Sequence, residues 1–129
     1  MPSVPPDITG FAQVALNVRD LDRAVAFYRD VLGLTFLFSA PPSLAFLQCG
    51  PTRVMLNGDP QTKPPTGGPI LYYAVADIKT AFAAITANGA PIKEAPKSIA
   101  RVGGRDVWLG FTEDPDGHPV GLMSEVPLA

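Results

Sequence analysis

Val18-Arg19-Asp20-Leu21-Asp22-Arg23-Ala24-Val25-Ala26-Phe27 recurs as Val75-Ala76-Asp77-Ile78-Lys79-Thr80-Ala81-Phe82-Ala83-Ala84, at a constant offset of 57 residues. The matches are Val18/Val75, Asp20/Asp77, Leu21/Ile78, Ala24/Ala81 and Ala26/Ala83. Each copy follows an apolar, strand-like run and opens a helix. A strand-helix unit has therefore been duplicated, and the chain reads as two modules of one fold.

Working outward from the first copy, residues 11–18 alternate as a strand. Val14, Leu16 and Val18 fall on one face, and Gln13, Ala15 and Asn17 on the other. Asp20 is placed as an N-cap. Leu21, Ala24, Val25, Phe27, Tyr28, Val31 and Leu32 make a helical stripe that Gly33 ends. Residues 34–39 predict a short strand, and 44–49 with 53–57 a hairpin around Gly50-Pro51-Thr52. A Pro- and Gly-rich segment, 59–69, reads as a linker. The pattern then restarts: a strand over 70–75, Asp77 as N-cap, and a helix stopped by Asn88-Gly89. Strands follow over 91–98, 107–112 and 118–125, the last two joined by a tight turn at Asp114-Pro115-Asp116-Gly117. The order is βαβββ, twice, with module one at about 8–58 and module two at about 70–126.

Bulk properties bound the function. The chain has 129 residues, 47% of them hydrophobic, enough for one globular domain with a real core. A formal net charge of −2 gives no electrostatic case for nucleic acid or an anionic membrane surface. No apolar run approaches a membrane span. The single cysteine, Cys49, allows no internal disulfide and fits a reducing compartment. Residues 1–7 lack the basic start and apolar stretch of a signal peptide. The expected location is cytoplasmic.

The element order and these residues resemble the vicinal oxygen chelate superfamily, which includes glyoxalase I, extradiol dioxygenases and bleomycin and fosfomycin resistance proteins. The resemblance rests on Val14 to Ala24 with Phe27-Tyr28 and Val31-Leu32-Gly33, on Val75-Ala76-Asp77-Ile78, on Ala87-Asn88-Gly89-Ala90 and on Asp114-Pro115-Asp116-Gly117. It runs from about Ile8 to Val126. It implies an α+β fold of two tandem βαβββ modules forming a cupped mixed sheet, with the helices packed outside.

The resemblance also implies where metal ligands would stand: on the first and last strand of each module, pointing into the cup. Those positions carry Gln13, Met55, Ile70 (or Tyr72, two residues on) and Gly121. Divalent zinc, nickel and iron sites want imidazole, carboxylate or thiolate. The likeness is therefore to the scaffold and not to the metal chemistry, and no metal or other cofactor is expected. With those positions facing inward, alternation puts Gln13, Ala15 and Asn17 in the cup, then Arg53, Met55 and Asn57, then Ile70, Tyr72 and Ala74, and finally Gly121 and Met123. Trp108, Phe111, Phe36, Phe38 and Phe46 are candidate aromatic walls. The expected ligand-binding set is Gln13, Asn17, Arg53, Met55, Ile70, Tyr72, Trp108, Gly121 and Met123.

Other reactive side chains read more plainly. His118, the only histidine, is a hairpin residue placed by turn geometry, rather than a base or ligand. Cys49 has no sequence partner that would activate it and reads as a partly buried hydrophobe. Asp20 and Asp77 are helix caps rather than paired catalytic carboxylates. Glu113, Asp114 and Asp116 read as a solvated turn, and Lys97, Arg101 and Arg105 as bracketing a solvated loop over 99–106, with a lid or rim as the other reading. Gly67-Gly68 and Gly103-Gly104 do not form a nucleotide-binding fingerprint.

The expected function is metal-independent binding of a small, partly apolar organic molecule. The alternative is a lyase, isomerase or dioxygenase with an atypical site. A third is a ligand-free regulatory or structural domain whose cup has collapsed. Whether the chain is an enzyme is left open. The expected partners are a small-molecule ligand and a second copy in a homodimer, with no nucleic acid and no membrane.

Overall fold

The computed structural model describes residues 4–128; residues 1–3, the start of the segment read for a targeting signal, lie outside it. The elements are β1 (Gln13–Val18), α1 (Leu21–Ala26) continued by a π-helical turn (Phe27–Val31), β2 (Thr35–Ala40), β3 (Leu44–Cys49) and β4 (Thr52–Gly58). Then come β5 (Leu71–Ala74), α2 (Ile78–Ala87), β6 (Glu94–Val102), β7 (Arg105–Glu113) and β8 (Pro119–Pro127). The fold is two tandem βαβββ modules, each with its own four-stranded mixed sheet, ordered β1-β4-β3-β2 and β5-β8-β7-β6. The first and last strands of each module pair in parallel, and the rest are antiparallel. No helix among the described residues is long and apolar enough to cross a membrane.

The sequence repeat is a structural repeat. Asp20 caps α1 by accepting from the Arg23 amide at 3.1 Å, and Asp77 caps α2 by accepting from the Thr80 amide at 3.2 Å. The two caps share nearly the same backbone, φ −127° ψ 110° and φ −128° ψ 102°. That extended cap turns the chain from strand to helix and lays the helix back on its sheet. The Thr80 amide and hydroxyl also hold the Asp77 carboxyl below the usual range.

The helix-facing residues of both sheets, Val18, Leu47, Val54, Leu56, Val120 and Leu122 among them, join Phe27, Tyr28, Ile78, Phe82 and Ile85 in one core. The first helix does not stay regular. The Leu32 amide bonds to the Phe27 carbonyl at 3.0 Å, a five-residue step that widens the turn. Two consecutive aromatic residues, Phe27 and Tyr28, are thereby both buried.

Tyr28 then reaches the other module. Its hydroxyl donates to Asp114 Oδ2 at 2.7 Å, while Asp114 Oδ1 accepts the amides of Asp116 and His118 at 2.9 Å each. Asp116 Oδ1 accepts the Arg19 amide at 2.8 Å and Arg19 Nε at 3.1 Å, with Arg23 Nη2 at 3.7 Å. Asp114 and Asp116 are each 3% exposed. The turn read as solvated is in fact a buried lock between modules. The carboxylates that would favour solvent instead accept from Tyr28 and Arg19 of the first module and from amides of their own turn. Burial beside Asp114 pushes the Tyr28 hydroxyl well above its usual range, so it stays a proton donor.

Residues 99–106 are not a loop or lid. Ala100, Arg101 and Val102 pair with Val107, Asp106 and Arg105. The reversal falls at Gly103-Gly104, both at positive φ (57° and 74°), the backbone that a two-residue hairpin turn requires.

Removing the Tyr28 hydroxyl (Tyr28→Phe) should cost about 1.5–3 kcal/mol, the range for a hydrogen bond to a charged group. Asp114→Ala strands three buried donors and should cost more, about 3 kcal/mol or above. Urea denaturation of both variants, with unchanged slopes, checks the order. Equal losses would mean that the turn amides do not depend on Asp114.

Candidate functional site

The modules meet through their helix-bearing sides. Besides the Asp114 and Asp116 contacts, Asn88 Nδ2 donates to the Val31 carbonyl at 3.3 Å. A cavity of about 300 Å³ lies at this joint, lined by Leu32, Leu34, Cys49, Tyr73 and Ile85 among others. Cys49 sits here as a half-buried thiol that burial raises above its usual range, without an activating partner. The opposite, open face of each sheet carries the expected ligand-binding residues other than Trp108.

On the first sheet, register aligns Gln13, Arg53 and Gln48 in one row, Ala15, Met55, Phe46 and Phe38 in the next, and Asn17, Asn57 and Leu44 in a third. Gln13, Ala15, Asn17 and Arg53 are exposed, and Met55 and Asn57 half-buried. These side chains hold one another. Arg53 Nε donates to Gln13 Oε1 at 2.9 Å, Gln13 Nε2 lies 3.8 Å from Met55 Sδ, and Asn57 Nδ2 donates to Asn17 Oδ1 at 3.3 Å. The Arg53 guanidinium lies 5.5 Å over the Phe46 ring, which stacks on Phe38 at 4.6 Å.

On the second sheet, Tyr72 pairs with Gly121 and Ala74 with Met123, and Phe111 lies across from Gly121. The Tyr72 ring covers Gly121 and meets Phe111 edge-on at 5.7 Å. A Cβ on Gly121 would stand 2.6 Å from Tyr72 Cδ1, so glycine is what lets the ring lie flat against the strand. Ile70, just ahead of β5, is 42% exposed and shares the parity of Tyr72.

Trp108 does not join this set. It stands on the helix side of β7, where Lys79 of α2 lies 4.9 Å over its ring and Asp106 accepts its indole N–H at 3.0 Å. Phe36 likewise packs into the core, while Phe38, Phe46 and Phe111 are on the open faces.

A cleft of about 640 Å³ that sequence reasoning missed adjoins the first open face. Ala15, Asn17 and Asn57 line it from the sheet, Lys63 and Pro65 from the linker, and His118 from the far turn. The wall is the free edge of β1. Ala12 and Val18 carbonyls bond toward β4, accepting the Arg53 and Asp59 amides, so the amides and carbonyls of Gln13, Ala15 and Asn17 point the other way. His118 Nε2 lies 2.8 Å from the Asn17 carbonyl, which can only accept, so Nε2 carries the proton. The histidine pins the turn to β1. The signal available in the sequence was the linker's length and its prolines; nothing in it placed the linker over β1.

The positions where the family resemblance implies metal ligands present an amide, a thioether, a phenol over a glycine, and an exposed isoleucine. This donor set does not fit a divalent zinc, nickel or iron ion. Among the described residues, no three His, Cys, Asp or Glu side chains converge as a metal site.

The family model for the Glyoxalase/Bleomycin resistance protein/Dioxygenase superfamily matches residues 10–122. Lactoylglutathione lyase from Agrobacterium tumefaciens is similar in structure, with 25% identity and a TM-score of 0.72 over 93% of this chain and 95% of that one. A glyoxalase/dioxygenase from Nostoc punctiforme shares the fold at 21% identity, with a TM-score of 0.73 over 97% of each chain. So does a glyoxalase/bleomycin resistance protein/dioxygenase from Alicyclobacillus acidocaldarius, at 16% identity and a TM-score of 0.73 over 90% of this chain and 91% of that one. A search of curated proteins returned no match.

Gly121→Ala should displace the Tyr72 ring and cost about 1–3 kcal/mol, as overpacking does. Loss of near-ultraviolet circular dichroism together with a lower urea midpoint checks it. An unchanged spectrum would mean that Tyr72 does not rest on Gly121.

Proposed function

We propose that this chain, which belongs to the Glyoxalase/Bleomycin resistance protein/Dioxygenase superfamily, binds a small, partly apolar organic molecule on the open faces of its sheets without a metal ion. What supports the reading is that the positions where the family resemblance implies metal donors carry Gln13, Met55, Ile70 (or Tyr72) and Gly121 on a matching scaffold. Aromatic and thioether surface supplies the apolar part of a site (Phe38, Phe46, Met55, Tyr72, Phe111, Met123). A few amides and one guanidinium supply its polar groups. The open-face residues face solvent rather than filling the cup, which weighs against a collapsed domain.

A second copy of the chain closes the site in this reading. Phe38 is 48% and Tyr72 45% exposed, and β1 and β5 each leave one edge unpaired within its sheet. Exposed aromatics beside free strand edges are surfaces that pair. The likeness to the Agrobacterium lyase favours a second reading, a lyase, isomerase or dioxygenase with an atypical site. It is ranked below binding because the donor set does not suit the metal.

Elemental analysis after dialysis against added Zn²⁺, Ni²⁺, Fe²⁺ and Mn²⁺ should find well under one ion per chain. Sedimentation equilibrium should give twice the 13.6 kDa chain mass. A flat, neutral probe such as 2-naphthamide at about a hundred times its Kd should stabilise the fold by about 2.7 kcal/mol. About one ion per chain surviving dialysis would put the metalloenzyme reading first. A monomer would remove the closed cup, and no response to any apolar probe would sink the binding reading.

A further inference from the structure

Arg53 is the only charged side chain on the open face of the first sheet. Its setting is that of a recognition group. Nε is used by Gln13 Oε1 at 2.9 Å, and Gln13 is itself held by Met55 Sδ at 3.8 Å. The guanidinium carbon lies over the Phe46 ring, 5.5 Å from its centroid. These contacts orient the group and leave the Nη1 and Nη2 edge without a protein acceptor among the described residues. Among the described residues no carboxylate pairs with Arg53, although the molecule carries a net charge of −2 and twelve acidic residues.

The acids on the second sheet are mostly spoken for. Lys97 Nζ lies 2.7 Å from Glu94, and Lys93 Nζ 3.6 Å from Glu113. Glu125 stands near the far end of β8, opposite Val107. The planar fork of an exposed, oriented guanidinium matches a carboxylate through two parallel hydrogen bonds. Beside the fork lie Met55 and the stacked Phe46 and Phe38, a surface for a flat apolar body.

We infer that the ligand is an organic acid, a carboxylate carried on a flat, apolar body, with the carboxylate on the Nη edge of Arg53 and the body over Met55 and Phe46. The inference rests on the binding reading above and adds the charge that the reading leaves open. A protein of net negative charge gains selectivity here from one oriented cation, because the wider field offers the anion nothing.

The test compares 2-naphthoate with 2-naphthamide, which share size and shape and differ in charge, by calorimetry on the full chain and on Arg53→Gln and Arg53→Lys. Arg53 is exposed, so both variants should keep the melting temperature of the parent. On the parent, naphthoate should bind at least about tenfold tighter than naphthamide, as a charge-assisted bidentate pair implies. Arg53→Gln should bring that ratio to about one, chiefly by weakening naphthoate. Arg53→Lys should recover only part of the preference, since an ammonium lacks the fork.

If naphthamide binds the parent as well as naphthoate does, the acid class is wrong and the binding reading stands. A preference that survives in Arg53→Gln places the anion elsewhere and also overturns the inference. If neither compound binds, both readings fall together.

Discussion

A buried carboxylate holds this molecule together. Asp114 accepts three hydrogen bonds in a space that is 3% exposed, two from its own turn and one from Tyr28 of the other module. An acid taken out of water is tolerable only when its lone pairs are filled, so the turn and the first helix must meet. Asp116 adds a second link: its Oδ1 accepts from the Arg19 amide and guanidinium, with Arg23 close by, while its buried Oδ2 has no hydrogen-bond partner among the described residues. Two modules that could otherwise sit at any angle are joined through their helix-bearing sides.

That joint decides what the sheets can do. Because the contacts lie on the helix side, both open faces are left to solvent, with Arg53, Phe38 and Tyr72 among the residues displayed. The same joint carries His118 to the Asn17 carbonyl, and so brings the last turn to the free edge of β1. The cleft there, roofed by the linker, follows from the lock and not from any local motif. The chemistry on offer is correspondingly that of recognition: amides, aromatic rings, a thioether and one oriented guanidinium.

Much of the architecture is legible in the residues. The 57-residue repeat, the paired Asp20 and Asp77 caps and the alternation of β1, β4, β5 and β8 are local features, set by backbone capping and by the period of a strand. The open-face positions of Gln13, Asn17, Arg53, Met55, Tyr72, Gly121 and Met123 follow from that period once the family resemblance says which face is inward. Trp108 was harder to place because β6 and β7 pair across register shifts, and an aromatic residue suits either face of a sheet. Residues 99–106 looked like a loop because their charges hid a hairpin whose only mark is Gly103-Gly104. The π-helical turn was invisible, since a helical stripe tolerates one widened step.

By itself, then, the sequence determined two βαβββ modules, their caps and their core faces. Each depends on residues near one another in the chain or on a fixed period. Only the tertiary structure decided that Asp114 and Asp116 are buried, that Trp108 turns to α2, and that Arg53 is oriented by Gln13 and Phe46 with its fork left open. Those outcomes turn on which surfaces meet in the folded chain, up to 97 residues apart in sequence, and no local preference of a single residue encodes that.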